Sequence, residues 1–195
     1  MKRITLFLLV IFMLGGCGTT VRSNVSTFHE LPSNTQMSYA MRLSKAQERS
    51  LEYKTYANII KRNLETKKFL EVPLEQAELV VLFSYGVGDG KETTTVENTK
   101  DKFLATSSIP DNGVGKNTGP SRKNDRMHYL KLEMVDAVQY KENGTIHQVY
   151  EARVTSPSRK VQLAAVFPYM AQSLFEDFPG KTGSVRKSTV IFKNE

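Results

Sequence analysis

Residues 129–155, YLKLEMVDAVQYKENGTIHQVYEARVT, decide the fold that we predict for this chain. Two runs of alternating apolar and polar residues, 129–140 and 145–155, flank Glu142-Asn143-Gly144, a pattern typical of a β-hairpin. A three-residue loop with Gly144 at its positive-φ position keeps like side chains together, whereas a two-residue Asn-Gly turn would mix the faces. The apolar face then carries Leu130, Leu132, Met134, Val138, Tyr150, Ala152 and Val154.

The opposite face of this hairpin is predicted to be polar. In the preferred register Glu133 lies directly opposite Arg153, and the same face carries Lys131, Gln139, His147, Glu151 and Arg153. Asp136 falls on the apolar face, opposite Tyr150. A buried carboxylate needs hydrogen-bond partners, so we expect Asp136 to bond the Tyr150 hydroxyl or nearby backbone amides in a structural role.

One helix is predicted before the hairpin in the sequence and one after it. Apolar residues spaced three or four apart predict a helix over about 44–67, and Ser44 followed by Gln47 fits a capping box at its start. A second helical stretch runs over about 159–178, where Pro168 should kink the helix or start a fresh one.

The remaining strands complete a small antiparallel or mixed sheet. The continuous apolar run 77–85 predicts a buried central strand. Residues 25–31, 36–43 and 184–192 have the pattern of shorter strands. The fold class that we predict is therefore α+β, with this sheet packed against the two helices.

A long polar insertion interrupts the predicted domain at about residues 86–126. It is rich in Gly, Thr, Ser, Asn, Asp and Lys, so it cannot build a core of its own. Loops of this length are usually functional or disordered. We predict a flexible insertion within a single α+β domain that spans residues 25–195.

The first sixteen residues are predicted to be a cleaved signal peptide. Lys2 and Arg3 precede an apolar run over 4–14, and Gly15 and Gly16 stand directly before Cys17. The apolar run is about half of what a bilayer span needs. Residues 17–24 would form a tether. The chain has one cysteine, which cannot form an internal disulfide.

The small residues before Cys17 resemble the lipobox of bacterial lipoproteins. That resemblance implies a diacylglycerol group on the thiol and an acyl chain on the new amino terminus, and several chains together make a durable membrane anchor. Gly18, rather than the Asp that tends to retain lipoproteins at the inner membrane, favours the inner leaflet of the outer membrane. An ordinary secretory signal with a cysteine near the mature end is the alternative interpretation.

A wider resemblance follows from the order of these parts. The lipobox, the helix leading into Ala77-Glu78-Leu79-Val80-Val81, the hairpin segments 132–137 and 149–152, and the closing run 174–180 resemble a family of uncharacterised bacterial lipoproteins. These proteins share an envelope domain of unknown function. The resemblance implies envelope placement and an α+β fold, and it supplies no catalytic or binding residue.

The sequence contains no recognisable constellation for catalysis or for a metal. The glycine-rich segment 86–91 lacks the Walker A spacing, and Glu92 follows its lysine instead of Ser or Thr. Gly-x-Ser-x-Gly does not occur, and the three histidines, His29, His128 and His147, show no ligand-like spacing. We expect a non-enzymatic domain with no metal and no cofactor other than the lipid on Cys17.

The expected function is binding of another envelope protein or envelope component, through the insertion and an adjacent sheet edge. One alternative is an envelope hydrolase acting on peptidoglycan or lipid, with Asp136 or Glu151 as its acid or base. Another is docking of anionic lipid or lipopolysaccharide by basic clusters. The net charge of +7 is compatible with nucleic acid, but a periplasmic location argues against that partner. The basic candidates are Arg122, Lys123, Arg126, Arg159 and Lys160, with Arg186-Lys187 as a further cluster.

Overall fold

A computed structural model of the chain describes residues 20–32, 36–88, 127–143, 145–157 and 161–191. Its centre is one seven-stranded mixed sheet in the order β3-β2-β4-β5-β6-β1-β7. The pairs β2–β3 and β2–β4 are parallel, and the others are antiparallel. The predicted α+β class is confirmed, and the sheet is larger than predicted. The strands are β1 (Thr20–His29), β2 (Ser38–Met41), β3 (Leu70–Glu71), β4 (Leu79–Gly88), β5 (Met127–Asp136), β6 (Gln148–Pro157) and β7 (Ser184–Ile191).

The first predicted helix is present but divided in two, as α1 (Lys45–Arg49) and α2 (Leu51–Thr66). The capping box of Ser44 and Gln47 is confirmed. Ser50 has extended backbone angles, and its hydroxyl accepts a hydrogen bond from the backbone N–H of Tyr53 (3.1 Å), so it caps a fresh helix. Serine competes in this way with the helical backbone, which explains the break.

The second predicted helix is shorter than the stretch 159–178. It is α4 (Leu163–Phe175), with Pro168 inside it. Proline deprives the carbonyl of the residue four positions earlier, Ala164, of its helical partner. Ala164 is exposed, so water can satisfy that carbonyl. No helix in the described part of the chain combines the length and apolar character that crossing a bilayer requires.

The prediction for the hairpin is wrong at the tip, which is helical, and correct for which side chains of β5 and β6 share a face. Residues expected to continue the strand form α3 (Ala137–Asn143), so Val138 and Gln139 are exposed helical residues. The strand register differs by two positions from the predicted one, so Glu133 faces Glu151, and Arg153 faces Lys131. A slip of two leaves every side chain on its original face, so Leu130, Leu132 and Met134 still share a face with Tyr150, Ala152 and Val154.

Helices α2 and α4 cover one face of the sheet, which we call the inner face. Tyr56 of α2 stacks on Phe167 of α4 with ring centroids 3.9 Å apart, and Tyr53 stacks on Phe83 of β4 at 4.3 Å. Stacked aromatic pairs add to the stabilisation from burial alone. This core is continuous along the sheet, and its strand members include Val25, Tyr39, Val81, Phe83, Leu130, Leu132, Met134, Tyr150, Ala152 and Val154.

Among the described residues, the opposite, outer face has a small apolar core at one end. Ala137 and Tyr140 of α3 pack there against Val80, Leu82 and Val135. The outer face of the strands beyond that core is mostly polar.

Both flanks of the predicted insertion are central strands. Gly88 at the end of β4 pairs with Met127 at the start of β5, and residues 89–126 between them lie outside the described residues. The sheet edge expected beside the insertion is therefore not there, because β4 and β5 each have neighbours on both sides. At the amino-terminal side, β1 begins at Thr20, so residues 20–24 of the predicted tether belong to the sheet.

Candidate functional site

A cleft of about 380 Å³ opens at the end of the sheet where β1 finishes and β2 begins. We call it the sheet-end cleft. Three segments far apart in sequence meet there: the connection between β1 and β2, the end of α2, and the turn after α4. Its walls are Leu31, Pro32, Gln36, Met37, Thr66, Lys67, Lys68, Phe69, Phe178 and Pro179.

The floor of the sheet-end cleft is apolar and is continuous with the main core. Phe178 packs edge-on against Phe69, with centroids 5.5 Å apart, and contacts Tyr150 at 5.0 Å and Phe175 at 5.3 Å. Leu31 and Phe69 are buried, and Phe178 is half-buried. A ligand in the cleft would therefore meet a preformed apolar surface.

Two lysines, Lys67 and Lys68, are the charged members of the cleft lining among the described residues. Lys67 ends α2, and its backbone N–H still bonds the carbonyls of Asn63 and Leu64. Lys68 has φ of 66°, in the left-handed region that turns the chain sharply out of the helix. Both ammonium groups thus belong to the carboxyl end of a helix, where positive charge is favoured.

Hydrogen bonds between β1 and residues 180–183 hold the wall formed by Phe178 and Pro179 in place. His29 Nε2 lies 2.9 Å from the Gly180 carbonyl oxygen, and the His29 backbone N–H donates to Thr182 Oγ1 at 3.0 Å. The Gly183 N–H donates to the Thr27 carbonyl at 2.8 Å. His29, for which the sequence suggested no metal role, therefore positions the turn that closes the cleft.

A cluster of charged and polar side chains lies on the outer face of the sheet, away from the cleft. Lys131 is only 2% exposed, and its Nζ lies 3.1 Å from Glu133 Oε1 and 3.6 Å from Glu151 Oε1. The Gln148 amide donates to both carboxylates, at 3.3 Å and 3.1 Å. This arrangement places one positive charge between two carboxylates that face each other across β5 and β6. Its members bond one another on a sheet face, which favours a structural role.

The other titratable candidates also have structural partners. Asp136 ends β5 and does not lie opposite Tyr150 as expected, but the expected bonds to nearby backbone amides are present. Its Oδ1 accepts from the N–H groups of Val138 (2.8 Å) and Gln139 (3.1 Å) at the start of α3. His147 is exposed, and its Nε2 lies 3.8 Å from Glu30 Oε2. Among the described residues no three His, Cys, Asp or Glu side chains cluster as metal ligands would.

Six of the site residues predicted from sequence fall outside the described residues. These are the lipidation site Cys17 and the basic candidates Arg122, Lys123, Arg126, Arg159 and Lys160. Arg186, of the further basic cluster, is described: it bonds Glu176 Oε2 and the Ser173 carbonyl. Sequence reasoning missed the sheet-end cleft, although Phe178-Pro179-Gly180 after a helix marked a turn at that place.

Residues 22–180 match the family described as "Domain of unknown function (DUF4136)". No curated protein matches the chain. Among solved structures, a PDZ domain protein from Parabacteroides distasonis is 14% identical with a TM-score of 0.51, which shows a shared fold. The match covers 89% of this chain but only 40% of that protein.

Two further solved structures match over most of their own length. A DUF4136 family protein from Bacteroides thetaiotaomicron is 13% identical with a TM-score of 0.47, covering 82% of this chain and 97% of that one. The chain of a PelC variant dodecamer from Paraburkholderia phytofirmans is 11% identical with a TM-score of 0.37. The match covers 78% of this chain and 95% of that one.

Proposed function

The chain belongs to the DUF4136 family, and from that premise we propose that it is a lipid-anchored, non-enzymatic binding domain of the bacterial envelope. Residues 1–17 support the anchor, because a charged start, a short apolar run and small residues precede the single cysteine. In this proposal the lipid on Cys17 holds the domain on the periplasmic side, at the inner leaflet of the outer membrane.

The binding function rests on the composition of the sheet-end cleft. Its apolar floor is rimmed by Lys67 and Lys68, and in the described part of the chain no acidic residue lines it. Its volume is within the range of pockets that take specific ligands. We propose that it receives a segment of another envelope protein that presents an apolar side chain beside a carboxylate. Neither Asp136 nor Glu151 lines this cleft, so the geometry favours binding over hydrolysis.

Photo-crosslinking in the intact envelope tests the binding site. A photoreactive phenylalanine analogue replaces Gln36, an exposed residue of the cleft wall, in the full-length chain. We expect a protein adduct that the charge reversal K67E/K68E abolishes. The matched control K54E/R62E makes the same change in net charge at positions of α2 outside the cleft lining.

The outcomes separate the candidate partners. Equal adducts in both charge-reversal variants would refute the role of the two lysines. A lipid adduct in place of a protein adduct would contradict a protein partner and support anionic lipid instead.

The anchor has its own test, independent of the cleft. The variant C17A should lose incorporation of labelled palmitate and should move from the membrane fraction to the soluble periplasmic fraction. A C17A protein that still incorporates palmitate would refute acylation at this cysteine.

A further inference from the structure

The strand β7 forms a long and regular open edge of the sheet. It pairs with β1 through eight consecutive positions, from Thr20↔Ile191 to Thr27↔Ser184, without a register shift. No other strand in the described ranges pairs with its far side. An edge of this kind exposes a row of unpaired backbone donors and acceptors that can template another strand. The opposite edge, β3, has two residues only.

Exposed apolar side chains accompany this edge. Val185 (73% exposed), Ile191 (64%) and Phe28 (59%) are among the most exposed large apolar residues described. All three lie on the outer face: Val185 pairs with Ser26 of β1, and Phe28 follows Ser26 by two positions, diagonal to Val185. Exposed apolar groups beside an open edge point to an interaction surface.

We propose that β7 pairs antiparallel with β7 of a second copy of the chain, about a two-fold axis that lies midway between Ser188 and Ser188 of the second copy. This inference is independent of the sheet-end cleft. A two-fold axis between two antiparallel strands stands normal to the sheet, so it keeps each side chain on its own face. One residue of β7 must then lie opposite its own copy across the axis.

Among the four central positions of β7, from Arg186 to Thr189, charge and burial favour Ser188 as that residue. An axis at Arg186 or Lys187 would place like charges directly opposite each other, which is unfavourable. An axis at Thr189 would place Lys187 opposite Ile191. With the axis at Ser188, Lys187 faces Thr189 of the second copy, and Val185 faces Ile191 of the second copy at both ends of the ladder.

This register also accounts for Phe28. Ile191 of the second copy would lie beside Val185, on the face where Phe28 stands diagonal to Val185. Each end of the paired strands would therefore bury a three-residue apolar patch. Burial of exposed apolar area is the main favourable term in association. The ladder hydrogen bonds across the axis would set the alignment.

A charge-swap experiment tests both the pairing and its register. The full-length chain is solubilised in detergent and its mass is measured by size-exclusion chromatography with light scattering. We expect a dimer for the wild type, and at least a roughly tenfold weaker dimer for V185K/I191K and for V185E/I191E, because like charges then meet at both ends. The variant V185K/I191E, which opposes unlike charges, should restore the dimer.

Mixing provides the decisive control. V185K/I191K and V185E/I191E together should form a mixed dimer, while circular dichroism shows that each variant alone is folded. A monomeric wild type, or a dimer that V185K/I191K leaves intact, would overturn the proposal. Failure of V185K/I191E to restore pairing would overturn the Ser188 register. All these variants should retain crosslinking at the sheet-end cleft, so this test and that of the proposed function fail separately.

Discussion

Replacing Lys131 by methionine should destabilise the domain strongly, although none of the described helices covers this part of the sheet. The Lys131 side chain is 2% exposed, and its ammonium group lies between the carboxylates of Glu133 and Glu151, at 3.1 Å and 3.6 Å. The side chains of the two glutamates are only 20% and 22% exposed. Methionine keeps most of the apolar stem and removes the charge, so the two facing carboxylates lose the cation between them.

The magnitude follows from the distances and the burial. With an effective dielectric constant of about 20, each attraction at these separations is about 5 kcal/mol before the cost of desolvation is subtracted. Removing one member of a buried charge pair typically costs about 3–5 kcal/mol. Partial exposure of the carboxylates places the expected loss near the lower figure, about 3 kcal/mol. With a urea m-value of about 2 kcal/mol/M, the unfolding midpoint should fall by about 1.5 M.

Urea unfolding monitored by circular dichroism measures this loss. The matched control is K54M, the same substitution at an exposed position of α2, where a change within about 0.5 kcal/mol is expected. The double variant K131M/E133Q should recover part of the loss, because one of the two facing carboxylates is then neutral. If K131M and K54M lose equal stability, the ammonium of Lys131 is effectively hydrated and our reasoning about its burial is refuted.

Two further predictions concern buried side chains elsewhere in the domain. F167A removes a fully buried ring stacked on Tyr56 and should cost about 3–5 kcal/mol of unfolding free energy by the same assay; a loss under about 1 kcal/mol would contradict close packing between α2 and α4. Burial lowers the pKa of His128, so the unfolded chain binds more protons than the folded one, and this contribution to stability should be lost as pH falls below about 6.5. H128Q should flatten the dependence of the unfolding free energy on pH between about pH 7.5 and about pH 5.5. If the slope of unfolding free energy against pH is unchanged in H128Q, the dependence comes from other groups.

The faces of β5 and β6 were predictable because side chains alternate with a period of two, and that pattern survives any even slip of register. The α3 segment was not recognised, since its residues also continue the alternation of β5. Asp136 held the missed signal: an Asp followed by Gln139 three positions later is typical of a helix start. We interpreted it instead as a buried carboxylate, and the structure has it capping α3.

The sheet-end cleft could not be predicted in the same way. Phe69 and Phe178 are separated by most of the domain, and their contact depends on the order of strands in the sheet. Periodicity within a segment carries no information about which segments meet. The turn at Phe178-Pro179-Gly180 was visible in the sequence, but its partner across the cleft, the end of α2, was not.

The start of β1 at Thr20 has a geometric consequence for the proposed lipoprotein. Only three residue steps separate Thr20 from Cys17, so an extended chain there reaches about 11 Å at most. The ten residues of β1 then span about 30 Å before the chain arrives at Leu31 in the cleft wall. The tether would therefore keep the start of β1 close to the membrane surface, and the cleft wall at Leu31 would lie beyond the other end of the strand.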